Sequence, residues 1–263
     1  MAKVGSGPRL QVIKAAEDGW SAFCRSPWTF VLFTMLVGLL STVFQSAAPL
    51  TKALLGSGAH PAVVVASVSG GVGNTVINLW GTSGLIRGAW MGLNDMRPSF
   101  GDLARWNGPG AGRLLINQLV LAVIFGIILQ LGLVLAAGLA EFNPALVAIP
   151  TVVVGVIVLY LGINQTFLPW IALLEEGNPF DTIQKGRFEV DRAWWSVLLL
   201  VVMELLLLGL GLVLCCVGLT AAAPLMVCIA TAAYRQLFGS HPSTDFLKSL
   251  PQSITPAEDG EPA

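Results

Sequence analysis

The sequence predicts an all-α polytopic membrane protein: six transmembrane helices with amphipathic helices on the cytoplasmic surface. Three observations point there. Of 263 residues, 55% are hydrophobic and 11% charged, and the mean hydropathy is +0.77. A soluble domain carries about 25% charged residues, so this chain lacks the charge to cover a water-exposed globule. Six apolar segments are each close to the ~20 residues that a bilayer core requires. The basic residues fall almost entirely on one side of those segments.

The six segments are 27–48, 62–86, 114–140, 145–174, 196–214 and 219–238, within a transmembrane domain over 27–238. Residues 1–26 read as a cytoplasmic N-terminal segment with an amphipathic helix. Residues 239–263, rich in Pro, Ser and acid, read as a disordered cytoplasmic tail. The first apolar run exceeds the 7–15 residues or so of a signal-peptide core, and Pro49 would directly follow the only small-residue site, Ser46-x-Ala48. It is read as an uncleaved first helix. Pro150 and Pro169 are expected to bend the fourth span near its ends. The last two spans form one apolar run, with Gly209, Gly211 and Gly218 as places to turn.

Charge orients the helices. With the N-terminus inside, the inner segments hold Lys3, Arg9, Lys14 and Arg25; then Arg87, Arg97, Arg105 and Arg113; then Lys185, Arg187 and Arg192; then Arg235 and Lys248. Only Lys52 lies outside, so the positive-inside rule puts both termini on the cytoplasmic side. Trp20, Trp28, Trp90, Trp106, Trp170, Trp194 and Trp195 fall near the same boundaries, where indole is favoured, and Trp80 lies deeper. The outer connections are short: a loop around His60, the "EFNP" turn, and a few residues near Cys216.

The most polar run outside the tail is "EEGNPFDTIQKGRFEVDRAWW", residues 175–195. Asn178 suits an N-cap and Pro179 a first turn. Phe180, Ile183, Val190 and Trp194 follow at helical spacing, and Asp181/Lys185, Lys185/Glu189 and Arg187/Asp191 are i,i+4 pairs. An amphipathic helix on the inner surface is expected, feeding the fifth span. Glu175 and Glu176 are expected to be solvated. "RSPWTF" before span one, "RPSF" before span three and "NPF" before span five suggest three repeats of surface helix plus hairpin.

The candidate intramembrane polar site is Glu204 with Asn78, Asn164 and Gln165. Glu204 lies about nine residues from Trp195, so ~14 Å deep, near the midplane. Charge there costs at least ~2.5 kcal/mol, so the group is expected to be neutral or hydrogen-bonded inside the bundle. Counted from their cytoplasmic ends, the three amides reach a similar depth. The layer reads either as interhelical glue or as a relay for protons or substrate. Span two also carries a stripe at Ser67, Gly71, Asn74, Asn78, Gly81 and Gly88, which favours close helix approach.

No catalytic residue, cofactor site or metal site is expected. "SGGVGNT" lacks the GK[ST] ending of a phosphate loop and lies in an apolar span. His60 and His241 have no paired ligand nearby. Cys24, Cys215, Cys216 and Cys228 form no CxxC pair and read as small packed hydrophobes. The net charge of −1 argues against nucleic acid.

"EEGNPFDTIQKGRFEVDRAWWSVLLL" and the late "GLTAAAPLMVCIATAAYRQL", with Pro224 in the last span and Ala232–Arg235 near its end, give the chain a resemblance over residues 90–238. It resembles a loose group of uncharacterised bacterial polytopic proteins and is similar to the membrane domain attached to some glycerophosphodiester phosphodiesterases. The resemblance implies an architecture. It carries over no catalytic residue, because that chemistry belongs to a separate soluble domain. The expected role is a non-enzymatic scaffold or accessory subunit, with membrane lipids and membrane or cytoplasmic proteins as partners. The alternative is a transporter or permease component using the polar site around Glu204.

Overall fold

The computed structural model describes residues 10–55, 61–175, 177–239, 244, 246 and 247, without the side chains of 55 and 215–217. His60, Glu176, His241 and most of the tail lie outside the described residues. Among those described, every regular element is helical. Six helical segments are long and apolar enough to cross a membrane, so the chain is an integral multi-pass membrane protein.

Helix α1 (Val12–Cys24) buries Val12, Ala15, Gly19, Ala22 and Phe23 on one face, which lies against the last helix. The first hairpin is α2 (Pro27–Leu55) and α3 (Pro61–Leu93). Helix α4 (Phe100–Ala104) is short but fully capped: Ser99 Oγ accepts from the Asp102 N–H, and Asp102 accepts from the Ser99 N–H at 2.9 Å. The second hairpin is α5 (Gly108–Ala140), a 3-10 turn at Pro144–Val147, then α6 (Ala148–Asn164) and α7 (Leu168–Leu174). Helix α8 (Pro179–Arg192) precedes the third hairpin, α9 (Trp194–Val213) and α10 (Cys215–Phe238).

A short helix thus precedes a hairpin three times, in line with the suggested repeat. The proline–aromatic signals are not equivalent, however. Pro27 and Trp28 open the spanning helix α2 itself, whereas Pro98 and Pro179 stand just before or at the start of the short helices.

The first and last described residues and the short helices gather at one end of the bundle, the polar end. The turns within the hairpins form the other. The fourth span differs from expectation. It is two helices, broken at Gln165–Phe167, and Pro169 starts the second rather than bending one long helix. Proline is tolerated there because the first turn needs no amide donor. Pro150 sits in the first turn of α6 for the same reason. The last hairpin turns at Leu214, not at a glycine; Gly211 and Gly218 flank the turn and pack backbone to backbone. A Cβ on Gly218 would lie 2.5 Å from the Gly211 carbonyl oxygen.

The core lies mostly at the polar end. It joins Phe23, Phe30 and Phe33 to Ile86, Trp90, Leu103 and residues 170–174 of α7, together with Cys228, Ile229 and Ala233 of α10. The tail is not free throughout: Thr244 and Phe246 are buried, and the Thr244 hydroxyl donates to the Leu173 carbonyl at 2.7 Å. Two tryptophans expected at an interface, Trp90 and Trp170, are core residues, whereas Trp20, Trp28, Trp106 and Trp195 are exposed. Cys228 is buried as expected, but Cys24 is exposed.

Candidate functional site

The four residues proposed as one polar layer occupy three separate places. Asn78 lies in the first hairpin. Its amide donates to the Asn74 carbonyl at 2.8 Å, to Asn74 Oδ1 at 3.1 Å and to Ser41 Oγ at 3.4 Å. Gln45 donates to the same Asn74 Oδ1. Asn164 and Gln165 belong to the polar end. Asn164 donates to Asp191 at 3.1 Å, beside Tyr160, and Gln165 donates to the Ile183 carbonyl at 3.2 Å. Glu204 is half-buried on α9, and its Oε1 has no partner among the described residues. The expected depth of Asn164 and Gln165 assumed one continuous helix to Leu174. The break after Asn164 instead sets both amides level with α8, which they hold in place.

Helix α8 forms where expected, with Asn178 at the N-cap. The Asn178 side chain does not accept a capping bond; it donates to Asp181. The buried stripe is Thr182, Gly186 and Val190, one turn apart. Gly186 matters here, because a Cβ would stand 3.3 Å from Ile171 of α7. Ile183 and Trp194 are half-buried, but Phe180 is 71% exposed, away from the buried stripe. Of the expected pairs, Arg187–Asp191 forms at 3.6 Å. Lys185 pairs with Glu175, which also accepts from Tyr234 at 3.0 Å. Glu175 is therefore not a solvated residue but a tie between α8 and α10.

Sequence reasoning missed Arg87. It was counted with the inner-side charges, yet it is 1% exposed. Its guanidinium donates to the Asp102 carbonyl at 3.1 Å and the Arg105 carbonyl at 2.6 Å. These carbonyls lie at the C-terminal end of α4, where a cation is favoured. The ring of Phe246 stacks on the other side, 4.7 Å away. Arg113 repeats the device on α7, donating to the Ala172 and Leu173 carbonyls. A signal was present in "GLIRGAWMGL", where Arg87 has only apolar and glycine neighbours for several residues on each side.

The polar end also holds a cleft of about 390 Å³ between α1, α3 and α10. Lys14, Asp18, Ser21 and Arg25 line one side; Asp95, Arg235 and Gln236 line the other. Arg25 pairs with Asp95, which adopts a left-handed φ of 62° in the turn after α3. Arg235 stacks on Trp90 at 5.1 Å. The Gln236 side-chain Oε1 accepts from the backbone N–H of Gln11 at 2.9 Å. The side-chain atoms Arg25 Nε and Gln236 Nε2 are buried without a partner among the described residues. What this lining offers is binding: several donors and both signs of charge around one space. Among the described residues, no group of three or more His, Cys, Asp or Glu side chains is placed to hold a metal.

No family model, no curated protein and no solved structure matches this chain.

Proposed function

We propose that the protein is a non-enzymatic scaffold or accessory subunit of a bacterial inner membrane, with both termini in the cytoplasm and the polar end as its contact surface. The observation that carries this reading is the aromatic fringe of that end. Trp20, Trp28, Phe100, Trp106, Phe180, Phe188 and Trp195 stand outside a core that already holds Trp90, Trp170 and five phenylalanines. Large apolar side chains left out of a filled core mark a surface that meets lipid or protein. Arg192 lies over Phe188 at 4.5 Å, so the fringe offers an aromatic face and a cation together. Orientation rests on the basic residues at that end. The resemblance over residues 90–238 is proposed as shared architecture alone. Nucleic acid is not among the proposed partners.

Purification in mild detergent tests the reading when wild type is compared with a Phe180→Ser/Phe188→Ser double variant. Loss of specific co-purifying proteins or lipids from a folded variant is expected. An unchanged set would remove the fringe from the account. Orientation is checked separately: external thiol reagents should label a cysteine placed at Asn143 and leave one at Gly108 or Lys185 unlabelled.

One observation favours the transporter alternative. Glu204 Oε1 is a buried oxygen without a partner inside a span, and an intramembrane carboxyl is a functional candidate by default. Against it, Glu204 does not line the cleft between α1, α3 and α10.

A further inference from the structure

We propose that the outward face of the first hairpin, α2 with α3, pairs with the same face of a second copy of this chain inside the membrane. The amides of Gln45, Asn74 and Asn78 carry the inference.

These amides stand where polar groups are costly. Asn74 and Asn78 lie more than three turns from either end of α3. Gln45 of α2 is level with Asn74, to which it donates at 3.3 Å. Hydrocarbon covers about 20 residues of a spanning helix, so all three fall within it where these helices cross a bilayer. Yet Gln45 and Asn78 are exposed, and Asn74 is only half-buried. Lipid tails offer them no hydrogen-bond partner.

The hydroxyls of the same face are already satisfied. Thr42 donates to the Gly38 carbonyl at 2.8 Å, Ser67 to Val63 at 2.8 Å and Thr75 to Gly71 at 2.9 Å, each within its own helix. The amides are used only in part. Asn74 Oδ1 accepts from Gln45 and Asn78, and the Asn78 amide nitrogen also reaches the Asn74 carbonyl and Ser41 Oγ. The Asn74 amide nitrogen and the side-chain oxygens of Gln45 and Asn78 make no bond among the described residues.

This set is self-complementary. It leaves one donor group and two acceptors on the same patch. Copies of one chain insert in one orientation, so the twofold axis of a dimer lies along the membrane normal. Each residue then meets the partner at its own depth, and the patch on one copy faces the identical patch on the other. The Asn74 amide nitrogen of each copy can donate to Gln45 or Asn78 of its partner.

Close approach is possible on this face. Gly70, Gly73 and Gly81 of α3 are occupied within the hairpin, against Phe44 and Val37 of α2. Gly71 is different: a Cβ there would meet nothing within 4 Å. Ser67, Gly71 and Thr75 are spaced four apart, the small-residue spacing that lets helix backbones come together in lipid. A groove of about 200 Å³ runs along the same face between α2 and α3, lined by Gln45, Ala48, Ser67, Gly71 and Asn74. The pairing does not rest on the scaffold reading, which concerns the polar end.

The test uses the full chain in phosphatidylcholine vesicles. Copies carry donor or acceptor dye on a cysteine placed at Asn143 in an otherwise cysteine-free chain, and energy transfer is followed as lipid dilutes the protein. The expected result is a saturable dimer. Gln45→Leu should weaken it about tenfold, because the axis repeats each contact and one interhelical bond is worth a factor of about three. Gly71→Leu should weaken it at least as much while leaving the unfolding midpoint in detergent unchanged, since the position is open within one copy. Gly126→Leu, at an open glycine of α5, should leave association as in wild type. In cell membranes, a cysteine at Thr75 should form a disulfide-linked dimer, and one at Val76, exposed but turned about 100° around the helix, should not. Energy transfer no greater than random collision gives would overturn the proposal. So would equal responses to Gly71→Leu and Gly126→Leu, or a cysteine at Thr75 that links to a different protein instead of a second copy.

Discussion

Among the described glycines, close approaches at the polar end join different hairpins, whereas those at the turn end join the two helices of one hairpin. Glycines make the difference visible. Near the polar end, a Cβ on Gly19 of α1 would meet the Ile229 backbone of α10 at 2.6 Å, and one on Gly92 of α3 would meet the Ala22 carbonyl of α1 at 2.9 Å. Gly110 of α5 faces Leu173 and Phe246, and Gly84 of α3 faces Phe33 and the Leu103 carbonyl of α4. Toward the turns, Gly70 and Gly73 meet Phe44 of the same hairpin, Gly132 meets Val154, and Gly211 meets Gly218. Gly126, Gly155 and Gly209 meet nothing within 4 Å. The three hairpins are therefore bound into one body at the polar end and stand as separate pairs beyond it. Exposed Val, Leu and Ile on those pairs are what lipid or a partner helix would cover.

The comparison can be broken by removing the polar-end ties. Arg87→Met should have the largest effect. It deletes the two charge-assisted bonds to the Asp102 and Arg105 carbonyls, a loss of about 4 kcal/mol, read as a lowered unfolding midpoint in detergent. Phe246→Ala removes the ring between Arg87, Gly110 and Leu173 and should cost about 3 kcal/mol. A midpoint unchanged by Phe246→Ala would mean that the tail does not tie the hairpins.

Glycine substitutions sharpen it. Gly84→Leu has no space and should cost about 2 kcal/mol through overpacking. Gly126→Leu, in an open position, should stay within about 0.5 kcal/mol. Equal effects at both sites would erase the distinction between the two ends. The smallest effect is expected at Glu204. Glu204→Gln keeps size and hydrogen-bonding capacity and should leave folding and cellular function unchanged, and Glu204→Leu should cost about 0.6 kcal/mol if a bond is lost. A folded Glu204→Gln protein without function would favour the transporter alternative.

Much of this was legible in the sequence, for physical reasons. Lipid demands long apolar helices, so span number and the surface helix at 179–192 could be read directly. The first turn of α8 was readable from Asn178–Pro179. What failed was assigning depth and neighbours. Residues 145–174 are apolar throughout, and periodicity gave no sign that Gln165–Phe167 break the helix, so Asn164 and Gln165 were placed too deep. Arg87 and Arg113 are chemically identical to topogenic surface charges; only tertiary packing makes them caps for α4 and α7. Phe180 was assigned to the packed face by spacing, but small residues, Thr182 and Gly186, let α8 come closer on another face. The cleft between α1, α3 and α10 had no sequence signal, because its lining comes from helices far apart in the chain.

Distances between spin labels measure the central contrast most directly. In a cysteine-free background carrying two introduced cysteines at a time and reconstituted in nanodiscs, one pair spans two hairpins at their turns, Lys52 and Asn143. A second pair spans two elements at the polar end, Trp20 and Gln184. The expected result is a narrow distance distribution at the polar end and a broad one at the turns, narrowing only when a partner is bound. Equally narrow distributions at both ends, in protein free of partners, would contradict the account.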